Sequence, residues 1–492
     1  MKIQVISLLL LLLCSTGCSD FLKEASQDEV RPSTVDELES LLLGDVYPKY
    51  PEQYLFTDVL TDDIQCNGVS VVYGSPSTFA GILEKEREIF CWSWVPLMMT
   101  SFNLWEDYYK KIMGCNVVMD ELSEVSGTPE RKAFLRGQCL TLRSFYYLLL
   151  VNYFGLPYNY GDPEQNPGVP LKLDSGVRDE YFTRASVAAV YKQIEKDLLE
   201  ANQLLTENTH TVSVYEISLP ATKVLLSRVY LYMEEWDKSI EFSNQLLQAK
   251  PALSAYINFT SLGGKSQGAM YSGVCDPKES KEIIWLYRGA PNLGSVNDYS
   301  FLLTKPPYAV SDDLIKSYED TNDAKDLRKK SFITFSNLFG TYSGPLIMNR
   351  AKDEHQMGLR TAEVYLNRAE AYIRKFGETQ DDESRVKALV DLNTLREHRY
   401  DTRLAAYVPK SYTAFDDLLN FCKEERRREL CFEEYHRWFD LRRYGMPGLK
   451  HEFISFTGIK QEFVLQPESP RYVLPIPQSA RDANPALTQN PQ

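Results

Sequence analysis

Leu135, Cys139, Leu142, Phe145, Tyr146, Leu149 and Tyr153 fall on one face of a helix, which Gly155 and Pro157 close. Apolar residues recurring every three or four positions fit an amphipathic helix and no strand. The pattern returns down the chain. Ser186 can cap a helix whose stripe is Val187, Val190, Tyr191, Ile194, Leu198 and Leu205, its hydroxyl accepting from a first-turn N–H. Pro220 suits the first turn of another, carrying Leu225, Leu226, Val229, Tyr230 and Met233. A break at Glu234-Glu235 leads into Trp236, Ile240, Ser243 and Leu247. Ala362, Tyr365, Leu366, Ala369, Ile373 and Phe376 form a further stripe, which Gly377 should end. Val386, Leu389, Leu392 and Leu395 pair with it across a short acidic loop. Such helices, with Ala, Tyr and Leu where they cross, resemble tetratricopeptide hairpins, yet no strict period of about 34 residues runs through the chain. The fold expected is mostly α, with helix pairs dispersed around something else.

That something else is residues 57–104 and 250–355, both rich in Gly, Ser, Asn, Pro and aromatics and without a long helical period. Short strands are expected at Val69–Tyr73 and Ile283–Tyr287. Loops of this length in a compact exported protein usually carry function. The tail from Ile454 has prolines at 467, 470, 475, 477, 485 and 491, so it should wrap the body in extended form.

Export is read from the N-terminus. Lys2 and the apolar run Val5–Leu13 open the chain. The run is far short of the roughly 20 residues that a spanning helix needs, so it reads as a cleaved signal. Ser15-Thr16-Gly17-Cys18 looks like a bacterial lipobox, in which Cys18 is acylated and becomes the mature N-terminus. Ser15 stands where Leu is usual, and ordinary secretion with an incidental cysteine is the plain alternative. Cys14, behind bulky Leu13, is a poorer acceptor. Ser19 to Val30, with four acids and one base, reads as a tether. The expected division is a signal at 1–17, a tether at 18–31, an N-terminal region at 32–265 and a C-terminal region at 266–492.

A net charge of −14 should repel nucleic acid and anionic headgroups. Membrane attachment must then come from acyl chains, at roughly 0.8 kcal/mol per buried methylene. The cysteines beyond Cys18 (66, 91, 115, 139, 275, 422, 431) are odd in number and lack a C-x-x-C pair. That argues against a disulfide framework, with room for an occasional bridge. Cys139, on an apolar stripe, reads as a buried thiol.

Motifs for chemistry are incomplete. Gly264-Lys265-Ser266 imitates the end of a P-loop, but Phe259 stands where the first glycine must be. His451-Glu452 begins a zinc-protease motif, and Ser455 replaces its second histidine. Asp320-Thr321-Asn322-Asp323 lacks the glycine of a calcium loop. Asp62 and Asp63 could do acid–base work on a glycosidic bond. With 68 acids in the chain, such a pair reads instead as solvated surface. The sequence offers no catalytic constellation, and no metal site or cofactor is implied. A glycoside hydrolase is the remote alternative, and a pure interaction scaffold of helix hairpins is another.

Residues 424–444 are the most concentrated polar stretch. Glu424 with Arg428, and Glu425 with Arg428 or Glu429, fall at helical neighbour spacings. The favoured reading is ion pairs that lock a helix hairpin onto the body. Arg437, Arg442 and Arg443 could instead meet an anionic ligand.

Several segments together resemble the SusD/RagB family of nutrient-uptake lipoproteins of the Bacteroidetes outer membrane. They are Cys18-Ser-Asp-Phe-Leu, LRSFYYLLLVNYFGLP (142–157), RASVAAVYKQIEKDL (184–198) and KVLLSRVYLYMEEWDKSI (223–240). RTAEVYLNRAEAY (360–372), LNTLREHR (392–399), ERRRELCFEEYHRWFDLRR (425–443) and YVLPIPQSARDANPALTQNP (472–491) follow in the family's order. The resemblance implies a mostly α fold, with four tetratricopeptide-like helix pairs packed against an irregular, loop-rich subdomain with a few short strands. It also implies a non-enzymatic surface protein that binds oligosaccharide, or peptide in the RagB branch. Such a protein serves as a lid on a SusC-like TonB-dependent transporter in the outer membrane.

The matched motifs are scaffold, so ligand residues must be sought in the irregular segments. Sugar rings pack their C–H faces on aromatics, while their hydroxyls seek amides and carboxylates. Tyr73 and Phe79, in a Gly/Ser/Pro loop near Asn67, are candidates, as are Tyr271, Asn292, Asn297, Asp298 and Tyr299 in the second segment. Trp94 is a possible platform, with core as the alternative because Trp92 and Trp94 precede a helix, whereas Trp105 and Trp285, within apolar patterns, read as core.

Overall fold

The computed structural model describes residues 31–48, 54–68, 76–94, 103–259, 273–288, 307–318, 325–336, 344–347, 356–403 and 405–492. Helix α1 (Val35–Leu41) opens with a capping box, in which Thr34 accepts from the Glu37 N–H and the Glu37 carboxylate takes the Thr34 N–H. Helix α2 (Tyr54–Val59) leads into strand β1 (Ile64–Cys66). Helix α3 (Pro76–Phe90) then occupies what the sequence reads as loop. Pro76 is preset for a first turn, and Leu83-Glu84-Lys85-Glu86-Arg87-Glu88 consists of strong helix formers. These outweigh the Gly and Ser nearby.

The expected helices follow. Thr128 caps α5 (Pro129–Phe154), which packs against α4 (Leu104–Glu121). Trp105 at the start of α4 meets Phe154 at the end of α5, so the two run antiparallel. Ser186 caps α6 (Val187–Glu207) through a 3.1 Å bond from the Ala189 N–H, and its whole expected stripe is buried. Pro220 lies in the first turn of α7 (Leu219–Tyr232). Glu234, at φ 61°, makes the turn into α8 (Trp236–Ala249).

Short strands and helices then alternate: β2 (Ile283–Arg288), β3 (Tyr308–Val310), α9 (Asp312–Ser317), α10 (Arg328–Phe332), β4 (Ile333–Ser336), β5 (Gly344–Ile347) and β6 (Gln356–Arg360). They pair antiparallel as β1 with β3, β2 with β6, and β4 with β5. β2 is the strand expected at Ile283–Tyr287, whereas Val69–Tyr73 lies outside the described residues.

Helix α11 (Thr361–Thr379) does not stop at Gly377 but runs on to Gln380, which takes the left-handed conformation at φ 57°. Gly377 serves packing instead. A Cβ there would lie 2.5 Å from a ring carbon of Phe415, so the bare backbone lets the next layer approach. In α12 (Asp382–Glu397), Leu389, Leu392 and Leu395 face inward, but Val386 is 45% exposed. The buried line passes through Ser384 and Ala388 in its place. Helices α13 (Phe415–Leu430) and α14 (His436–Arg443) precede a hairpin of β7 (Leu449–Ile454) and β8 (Lys460–Leu465), and α15 (Gln478–Ala483) follows. The tail is therefore less extended than its prolines imply, but it does wrap the body. The Leu474 N–H bonds the Tyr153 carbonyl at 2.9 Å, and the Asn490 amide bonds the Phe154 carbonyl at 2.9 Å.

Packing is chained: α4 on α5, α5 on α6, α6 on α7, α7 on α8, α8 on α11, and α11 on α12 and α13. The mostly α architecture of helix hairpins beside a loop-rich part with short strands is the one expected. The seven cysteines within the described residues are buried.

Helix α13 departs from amphipathic design. Glu425, Arg426, Arg427, Arg428 and Glu429 are consecutive and all buried, and consecutive residues point all round a helix. Protein therefore encloses its C-terminal part, whereas Asp416, Asp417, Asn420 and Glu424 nearer its start are exposed. Glu425 meets Arg328 at 2.9 Å, Glu429 meets Arg399 at 2.9 Å, and Arg426 meets Asp440 at 3.2 Å. Arg360 joins Glu282 at 2.9 Å and Glu433 at 2.8 Å, while Arg228 joins Glu363 at 2.6 Å and Glu434 at 2.8 Å. The hairpin is indeed locked by ion pairs. Glu425–Arg428, at 2.6 Å, is one within the helix, but most partners lie far along the chain. Arg437, Arg442 and Arg443 are not open to an anionic ligand: they hold Asp62, the Gly155 carbonyl and Glu370 respectively. Burial alone would raise the Glu370 carboxyl, yet Arg443 and Arg426 hold it at about 2.

Candidate functional site

Strands β1 and β3 bring together the roots of the two irregular segments. Ile64, Gln65 and Cys66 pair with Val310, Ala309 and Tyr308. One step further, the Asn67 N–H donates to the Pro307 carbonyl at 2.7 Å. The chain on either side, 69–75 and 289–306, therefore joins the described body at neighbouring points. Strand β7 lies against β1, with the Ile454 N–H 3.4 Å from the Cys66 sulfur. Gly68, at φ 68°, admits Ile454 to within 2.8 Å of where a Cβ would stand.

Beside this junction opens a cleft of about 460 Å³, whose walls include Asp62, Gln65, Asp312, Asp313, Lys450 and Glu452, with Phe90 and His451 behind them. Asp62 and Asp313 of its walls, and Asp63 beside them, are fixed from α13 and α14. The Arg437 fork grips Asp62 at 2.8 and 2.7 Å, and Arg427 spans Asp63 at 2.7 Å and Asp313 at 2.8 Å. Asp62 and Asp63 are thus no solvated surface pair, because Asp63 is only 1% exposed. Two arginines reaching across the fold explain why acids can sit so deep. Burial pushes the Asp63 carboxyl up despite Arg427, and the neighbouring Asp62 charge adds to the rise. Burial works the same way on Asp62, but there the Arg437 fork wins and the carboxyl is lowered.

The remaining groups are held by short local contacts. Gln65 Oε1 accepts from the Asp312 N–H at 2.9 Å. Glu452 pairs with Lys460 at 2.7 Å, and Lys450 with Glu462, across the outer face of the hairpin. His451 is stacked between Phe90 and Trp92, with ring centroids 4.0 and 4.2 Å away. Its Nδ1 lies 2.6 Å from the Phe90 carbonyl and its Nε2 3.0 Å from the Thr61 carbonyl. Burial pushes the His451 imidazole down, and the two carbonyls oppose that shift. The ring staples β7 to the end of α3. Chemically, the cleft offers carboxylates, an amide and an ammonium in alternation, which suits a ligand rich in hydroxyls.

Tyr73, Tyr271, Asn292, Asn297, Asp298 and Tyr299 lie outside the described residues, as do Cys18, Gly264-Lys265-Ser266 and Asp320-Thr321-Asn322-Asp323. Phe79 belongs to α3 and not to a loop. Trp94 is half-buried against the core, and its indole N–H donates to the Arg471 carbonyl at 3.2 Å. Trp105 and Trp285 are core, at 7% and 0% exposure. Gln65, Asp312 and Lys450 carry no local signal that sequence could single out. Asp62-Asp63 and His451-Glu452 did stand out, but for other chemistry. Among the described residues, no group of His, Cys, Asp and Glu is arranged to hold a metal ion, and no helix is long and apolar enough to cross a membrane.

A family model described as "Starch-binding associating with outer membrane" matches residues 22–231, and one described as "SusD family" matches residues 321–492. No curated protein sequence matches the chain. Among solved structures, a SusD superfamily protein from Bacteroides vulgatus is similar at a TM-score of 0.71 and 20% identity, covering 93% of this chain and 99% of its own. A SusD-like carbohydrate binding protein from the same organism has a TM-score of 0.66 at 21% identity, covering 92% of this chain and 97% of its own. A SusD superfamily protein from Bacteroides thetaiotaomicron has a TM-score of 0.66 at 21% identity, covering 93% and 100%. The chained helix hairpins, the enclosed arginine-rich helix and the two family matches agree: this chain belongs to the SusD family.

Proposed function

We propose that the protein is a cell-surface lipoprotein, anchored through acyl chains on Cys18, that captures an oligosaccharide and delivers it to a SusC-like TonB-dependent transporter. The observation that carries this reading is the junction where β1 and β3 unite two loop roots beside a polar cleft. The descriptions of the matching family and of a similar solved protein, starch-binding and carbohydrate binding, support the ligand class.

The role is binding and not catalysis. Of the four carboxylates in the cleft, Asp62, Asp313 and Glu452 are each paired with a base, namely Arg437, Arg427 and Lys460, which leaves Asp312 as the one without an ion pair among the described residues. A retaining or inverting hydrolase needs one carboxyl free to give a proton and another free to attack or activate water. Calorimetry against a panel of oligosaccharides and short peptides tests the reading. Affinity for oligosaccharides, with no release of reducing ends, is expected. Affinity for peptides alone would replace it with RagB-type peptide capture.

A further inference from the structure

A second cavity, of about 430 Å³, lies between the start of α4, the 170–182 segment and α15. Its size is in the small-ligand range. Trp105, Tyr109 and Phe182 form aromatic walls, with Met113, Ala480 and Leu487 between them. The walls are preset. Trp105 and Tyr109 tilt against each other at 5.1 Å, and Trp105 stands edge-on to Phe154 at 5.0 Å. Tyr109 stands edge-on to Tyr147 at 6.4 Å, and its hydroxyl is tied to the Pro170 carbonyl at 2.7 Å.

Most of the polar rim is already committed. Asn103 donates to the Glu106 carboxylate at 2.5 Å and accepts from the Glu106 N–H at 3.2 Å. Asn484 donates to the Phe182 carbonyl at 2.8 Å and accepts from the Ala486 N–H at 3.2 Å. Lys172 reaches Asp174 at 2.8 Å and the Gly176 carbonyl. A bare sugar ring placed here would bury hydroxyls with few partners, an anionic ligand would find Lys172 already paired with Asp174, and a cationic one would have to compete with the Asn103 amide for Glu106. An uncharged aromatic ring suffers neither cost, and it packs on tryptophan and tyrosine faces in offset or edge-on geometry.

We infer that this cavity takes an uncharged aromatic substituent carried on a glycan, a phenolic acyl or aryl group. The source of the ring rests on the glycan-capture reading, whereas the preference for a ring rests on the cavity alone. Ala483→Trp places bulk over the cavity from an exposed helix position, and Phe182→Ala removes a half-buried wall.

The test titrates the full chain with methyl ferulate, followed by calorimetry and tryptophan fluorescence. Saturable binding is expected, weakened about tenfold or more in each variant. Melting temperature and affinity for unsubstituted oligosaccharides should stay as in the parent chain. Absent saturation, or binding that both variants leave unchanged, overturns the inference, while retained affinity for unsubstituted glycans would still uphold glycan capture. Binding of methyl ferulate without affinity for any glycan overturns the assigned source. Equal or tighter binding of N-acetyltyrosinamide or octyl glucoside overturns the phenolic assignment in favour of a peptide or an alkyl chain.

Discussion

The Arg427 guanidinium donates to the Asp63 carboxylate at 2.7 Å, and both residues are buried. One belongs to α13 and the other to the turn that opens β1, so the contact ties the arginine-rich helix to the cleft. Asp63→Asn should lower the unfolding free energy by about 3 kcal/mol, because Arg427 loses the most buried of the three carboxylates, Asp62, Asp63 and Asp313, that compensate it. Urea denaturation measures this, and an unchanged midpoint would show that the pair is not structural.

Arg360 is the clearest single point of failure. Glu282, Glu429 and Glu433 all converge on its guanidinium. Arg360→Met should cost about 3–5 kcal/mol by leaving buried acids without a partner. Arg360→Lys should recover little, because a lysine lacks the planar fork that serves several carboxylates at once. Full recovery by lysine, read from denaturation midpoints, would mean that charge alone matters there.

Stability should fall on acidification, in a defined window. Glu363 and Glu429 are raised by burial, but Arg228 and the Arg399–Arg360 pair overcome that and hold each at about 2. An unfolded glutamate titrates near about 4.3. Their contribution is thus complete above that value and is lost as pH falls toward 2. His436 acts earlier. Burial, reinforced by Arg228, pushes its imidazole well below the usual value, so only the unfolded chain takes up a proton below about 6.5. The melting temperature should decline from mildly acidic pH downward, and a flat profile from neutrality to pH about 3 would contradict this.

The cleft can be tested without harming the fold. Gln65 is half-buried and Asp312 exposed. Gln65→Ala and Asp312→Asn should each weaken oligosaccharide binding about tenfold, the effect of losing one or two hydrogen bonds to the ligand. Tyr73→Ala and Tyr299→Ala, in the segments whose roots meet here, should behave alike at an unchanged melting temperature. Unaltered affinity in all four variants would remove the junction as the binding site.

The anchor separates from the site. Cys18→Ala should leave calorimetric ligand affinity intact and abolish uptake by cells that express the variant. Normal uptake would show that acylation at Cys18 is dispensable.

Local physics was legible in the sequence, and long-range physics was not. Ser186 and Pro220 announce helix starts because capping and ring geometry act within one turn. Gly377 misleads because its role is set by Phe415, a residue of another layer. Asp62-Asp63 reads as surface because its partners, Arg437 and Arg427, lie near the other end of the chain. The cleft fails for the same reason: Gln65, Asp312 and Lys450 meet only once β1, α9 and β7 have come together. The stretch 424–444 was rightly read as a lock, but helical spacing could supply only its local pairs.

The enclosed charges of α13 bear on how such a chain can change over generations. Glu429 serves Arg328, Arg360 and Arg399 at once, and Arg360 in turn serves three acids. No single exchange, and no reciprocal swap of two residues, can keep every member neutralised. A scaffold of this kind can alter its central lattice only by several concerted substitutions, whereas its outer helix faces carry no such constraint.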